Sequence, residues 1–88
     1  MTSQAEEPCQ LLPDDAYSHK KAALDSGRRK AIESAEGEIA IDPDHNHWRR
    51  RTDRGTTLDF YAADAGLIVG YRRKSKTQVR LIDLIDLA

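Results

Sequence analysis

Five side chains able to hold a metal or move a proton fall within one short stretch: Asp42, Asp44, His45, Asn46 and His47. Carboxylate and amide oxygens in this rhythm suit a hard cation, and Asp42-x-Asp44-x-Asn46 matches the opening of a calcium-binding loop. The match stops there. The position that needs glycine for the sharp turn is His47, and the position that needs a bidentate glutamate is Asp53. A zinc site on His45 and His47 would lack third and fourth ligands at the customary spacing. The segment reads as a polar loop, and neither a metal nor a cofactor is expected.

Other routes to catalysis fare no better. His19, His45 and His47 are the side chains that titrate near neutrality, yet none stands beside a nucleophile in a known arrangement. Cys9 lies in the N-terminal stretch, and no serine sits in a Gly-x-Ser-x-Gly setting. Gly66-Leu67-Ile68-Val69-Gly70 lacks the third glycine and the strand-then-helix frame of a dinucleotide loop. The chain is therefore not expected to be an enzyme.

Phosphate and carboxylate recognition is better represented. His47-Trp48-Arg49-Arg50-Arg51 and Tyr71-Arg72-Arg73-Lys74-Ser75-Lys76, with Arg54 and Arg80, gather cations beside aromatic rings. Arginine and lysine grip phosphates and an aromatic ring can stack on a base, as in sheet domains that bind single strands. Extended backbone over 47–52 would put Trp48 and Arg50 on one face and Arg49 and Arg51 on the other. The three consecutive arginines then cannot all join one surface. They could equally be solvated, pair with the acidic half of the chain, or dock to an acidic protein.

That acidic half is real. Residues 1–46 carry ten acidic and five basic side chains, whereas residues 47–88 carry nine basic and five acidic, so a net charge of -1 joins halves of -5 and +4. Such asymmetry speaks to partners and association, not to chemistry. Of the nineteen Val, Ile, Leu, Met, Phe and Trp residues, twelve lie in the second half, which should hold most of the core. A chain of 88 residues forms one small domain with little room for an enclosed substrate cavity. The single cysteine rules out an internal disulfide, and no apolar run approaches the ~20 residues that span a bilayer. Residues 1–10 offer neither a basic segment nor an apolar run, so a targeting signal is not expected there and a reducing cytoplasmic setting is.

The elements that would position these groups follow from periodicity. Residues 1–12 have no period and read as a flexible leader. Asp14 or Asp15 after Pro13 suits a helix cap. Tyr17, Leu24 and Ala31, with Ile32 and Ala35 beside them, predict a helix over 14–36, bent at Ser26-Gly27 and stopped by Gly37. Ile39 and Ile41 then alternate with polar neighbours as a first strand. Turn residues at 43–46, Asp53-Arg54-Gly55, 63–66 and 74–76 separate further strands near 47–52, 56–62, 67–73 and 77–83. Leu58 and Phe60 alternate with Asp59 and Tyr61. The final run, Leu81 to Leu87, ends in an apolar tail or an edge strand.

The predicted fold is thus α+β: residues 13–88 as one domain, a bent N-terminal helix on a curved antiparallel β-meander of four to five short strands within 38–84, or a small barrel if the sheet closes. The predicted function is a small regulatory or inhibitory protein of the phage, plasmid or bacterial accessory type. It would dock to a protein partner such as a nucleic-acid-handling machine, or else bind nucleic acid directly, with no membrane role. Its contacts would be Trp48, Arg49, Arg50, Arg51, Arg54, Tyr71, Arg72, Arg73 and Lys74, and the tail residues Leu84, Ile85 and Leu87. That tail and the short edge strands also suggest a homodimer.

Overall fold

The computed structural model describes residues 7–45 and 48–87. In chain order these form β1 (Gln10–Pro13), α1 (Asp15–Ala22), α2 (Ser26–Ile41), β2 (Arg49–Asp53), β3 (Thr56–Ala63), β4 (Leu67–Arg73) and β5 (Gln78–Asp86). The strands make one open five-stranded sheet in the order β1-β5-β4-β3-β2. β2 to β5 are the expected antiparallel meander, while β1 lies parallel to β5, with Gln10 opposite Gln78 and Pro13 opposite Leu81. The fold class is α+β. The sheet is mixed and does not close into a barrel.

Two helices stand where one bent helix was expected. α1 ends at Ala22, and the guanidinium of Arg29 donates to the carbonyls of Ala22 at 3.2 Å and Leu24 at 2.6 Å, satisfying acceptors that a helix C-terminus leaves open. Asp25 then caps α2 by accepting from the Arg28 N–H at 2.8 Å. Gly37 does not stop this helix, which runs on to Ile41. The strand expected over 38–42 is its last turn: Ile32, Ala35 and Ile39 are buried at helical spacing, and Ile41 is 67% exposed.

The fifth strand comes instead from the end of the supposed leader. Residues 10–12 belong to β1, where the Gln10 N–H donates to Thr77 O at 2.7 Å and the Asp14 N–H to Leu81 O at 2.9 Å. Residues 1–6 lie outside the described residues.

Both helices pack on one face of the sheet. Tyr17 of α1 and Ile32, Ala35 and Ile39 of α2 meet Leu67, Val69 and Tyr71 of β4 and Val79, Leu81 and Leu84 of β5. A register shift lets β5 keep this face covered past Leu81: Tyr71 lies opposite Leu81 and Gly70 opposite Asp83, so Ile82 is an extra residue. The bulge is why Leu81-Ile82-Asp83-Leu84-Ile85-Asp86 does not alternate as a plain strand would.

Candidate functional site

Strand alternation assigns the opposite face of the sheet. With Leu67, Val69 and Tyr71 turned to the helices, Ile68, Gly70 and Arg72 turn away. On β3 the inward residues are Asp59, Tyr61 and Ala63, so Leu58 and Phe60 face out. Register then carries Arg51 outward opposite Leu58 and Arg49 opposite Phe60, and places Ile85 opposite Ile68. Among the described residues no helix covers these side chains, and Ile68 is buried by its neighbours on the face itself.

Phe60 organises the centre of the face. A Cβ on Gly70 would lie 3.4 Å from the Phe60 ring, so the ring rests close against the Gly70 backbone. Trp48 sits at a bend ahead of β2, its N–H donating to Phe60 O at 2.6 Å. Because it precedes the strand it escapes the alternation and joins Arg49, Arg51, Phe60, Ile68 and Ile85 around a dent of about 200 Å³. The guanidinium of Arg49 stacks 5.7 Å from the centre of the Trp48 ring, which is 60% exposed. A wider groove of about 490 Å³, lined by Arg51, Arg54, Thr56, Leu58 and Phe60, continues from the dent through the shared Arg51 and Phe60.

The cations sort into two groups. Arg50 points to the helix side and grips the buried Asp59 carboxylate through Nε at 2.6 Å and Nη2 at 3.0 Å. That bidentate hold raises the guanidinium pKa still further. Arg73 pairs with Asp44 at 2.7 Å and donates to Ser75 O and Lys76 O, and Arg80 pairs with Asp14 at 2.6 Å. These three hold the fold together. Arg51, Arg54, Arg72 and Lys74 have no carboxylate partner among the described residues, and Arg49 has only its stacking contact.

Tyr71 and Leu84, expected at the contact surface, are buried. The Tyr71 hydroxyl donates to Pro43 O at 2.7 Å, and burial together with the nearby Asp59 carboxylate pushes the phenol pKa up. Its ring is core, with no face for a base. Leu84 is 3% exposed because the bulge returns it to the helix side, whereas Leu87 beyond the strand is 66% exposed and Ile85 lies on the open face. Phe60, Leu58 and Ile68 were not among the expected contacts. Their signal was available: a two-residue turn at Arg54-Gly55 fixes every cross-strand partner of β2 and β3, and so pairs Arg50 with Asp59.

Among the described residues the acid-base candidates do not converge. His45 is exposed and contacts Asp42 at 2.9 Å, and Asn46 and His47 lie outside the described residues. Among the described residues no three His, Cys, Asp or Glu side chains gather as a metal site. On the helix side, Leu11, Pro13, Tyr17, Arg29 and Glu36 border a cavity of about 550 Å³. Its polar groups are engaged: Glu36 accepts from the Tyr17 hydroxyl at 2.7 Å and from Lys21 at 3.0 Å. Among the described residues no helix is long and apolar enough to cross a membrane. Comparison with protein-family models, curated proteins and solved structures finds no match.

Proposed function

We propose that this chain is a non-enzymatic docking protein, regulatory or inhibitory in kind, whose open sheet face seats against an acidic surface of a larger protein. One observation carries the reading: an apolar strip with Trp48 exposed, Leu58, Phe60 and Ile85 partly exposed and Ile68 buried among them is bordered by Arg49, Arg51, Arg54 and Arg72, none paired with a carboxylate among the described residues. Tryptophan and arginine are the residues that dominate protein interfaces, and unpaired cations around an apolar centre favour a partner with carboxylates around an apolar patch.

The test is a variant that spares the fold. Trp48→Ala should weaken capture of the stoichiometric partner by about 30-fold, or about 2 kcal/mol, and Arg51→Glu should add a loss that shrinks as salt rises. Both side chains are exposed, so far-UV circular dichroism should not change. A partner held equally well by the double variant would refute the reading.

A second reading, single-stranded nucleic acid, draws on the Arg49-stacked Trp48 ring beside Phe60 on the same face. It predicts quenching of Trp48 fluorescence by oligo-dT or oligo-U, with affinity falling steeply as salt rises. An unchanged signal at low salt disposes of it.

A further inference from the structure

The sheet ends in two unlike edges. β1 is four residues long, finishes on Pro13, which has no N–H to offer, and is tied at its start to α2 by the Cys9 N–H donating to Ala40 O at 2.8 Å. β2 holds five residues without proline, and Arg49 to Thr52 are all exposed. α2 packs on β3, β4 and β1 and α1 on β5, which leaves β2 beyond the main footprint of the helices. Among the described residues no strand pairs with the outer edge of β2, and an edge of this kind is a template for another strand.

Charge decides what can use it. Two copies paired edge to edge about Arg50 would set one Arg49-Arg50-Arg51 run against the other, and like charges directly opposite destabilise a strand pair. With three cations and one anion over residues 49–53, this edge suits an acidic strand better than a second copy of itself. Arg50 is already satisfied by Asp59, so the cations left to a newcomer are Arg49 and Arg51, two residues apart on the open face. An added strand answers both only with carboxylates at alternate positions.

We infer that the partner contributes an extended segment with acidic residues at alternate positions, which pairs with the β2 edge and lays its carboxylates against Arg49 and Arg51 beside the Trp48 dent. This rests on the docking function proposed above and specifies how the partner binds. Strand addition supplies main-chain hydrogen bonds for affinity, and the arginine pair supplies the choice of segment.

The probe is a synthetic peptide alternating glutamate and valine, added at up to about 1 mM, the weak end of specific binding. Amide exchange over residues 49–53 should slow by about tenfold or more, and the Trp48 indole signal should shift. A lysine-valine peptide should do neither with the wild-type chain. Arg49→Glu with Arg51→Glu, both exposed, should exchange the two preferences. Shifts at Trp48, Phe60 and Ile85 without slowed exchange at the edge would overturn strand addition yet leave face docking standing. No response to the acidic peptide, or a dimer abolished by the double variant, would overturn the inference, while face docking would still be judged on partner capture by the Trp48 and Arg51 variants.

Discussion

Arg49, Arg50 and Arg51 share a residue type and differ in consequence, because alternation turns the middle one to the helices. Asp59 is 2% exposed and the Arg50 guanidinium is nearly half exposed, so the pair is lopsided. Removing the cation strands a buried carboxylate; removing the anion releases an arginine that can reach water. Arg50→Ala should therefore cost about 2–3 kcal/mol and Asp59→Asn only about 1 kcal/mol, measured by urea unfolding. Equal costs would mean that the carboxylate is more hydrated than its burial implies. Tyr17 and Tyr71 set the alkaline limit of stability. Burial raises both phenols above their ordinary value of about 10, with the Glu36 carboxylate adding to Tyr17 and Asp59 to Tyr71. A folded pKa above the unfolded one means that the native state holds the proton longer. The stabilisation is thus complete below about pH 10 and declines as pH rises beyond it. Tyr71→Phe should flatten that decline in a pH series of melting temperatures, while also losing the hydrogen bond to Pro43.

At the level of elements, the turns were legible and the helix ends were not. Arg54 and Gly55 take φ of 52° and 78°, the paired positive angles of a tight hairpin, and Asp-Arg-Gly announces that turn without help from elsewhere. Gly37 announced a helix end that does not occur, because burial of Ile39 two residues later outweighs a glycine penalty of about 1 kcal/mol. Nothing lies within 4 Å of a Cβ built there. Gly37→Ala should accordingly stabilise the protein by about 0.5–1 kcal/mol, read as a higher urea midpoint at unchanged slope. The open face was half legible: its arginines stand out in the sequence, but whether Leu58 and Phe60 or Asp59 and Tyr61 face the helices depends on Arg50, across the hairpin. The bulge at Ile82 hid the fate of the C-terminal run for the same reason, since an extra residue reverses the alternation. Leu84→Asp should prevent folding and Leu87→Asp should leave the melting temperature within a few degrees, two residues of one apolar run separated only by burial.

At the scale of the molecule, β1 is the element no local signal could reveal, because its four residues acquire meaning only from a partner near the other end of the chain. Gln10 pairs with Gln78, whereas β2 to β5 join through short turns. Closing so long a loop costs entropy that is recovered only after β5 has a place in the meander. The meander with α2 on its face should therefore form first and β1 should dock last. Native-state hydrogen exchange tests this directly: amides of residues 10–12 should open at a lower free energy than those of β4, with the gap narrowing as denaturant is added because the partial opening exposes less surface. The same order predicts a stable remnant. A chain beginning at Asp14 would lose the packing of Leu11 against the core and the β1 ladder, and should melt lower while keeping the dispersed spectrum of a folded sheet. Because β1 and β2 occupy opposite edges, that truncation should also leave binding of the acidic strand peptide intact. Were the truncated chain unfolded, β1 would belong to the nucleus, and the two halves of the sequence would be less separable than their charge suggests.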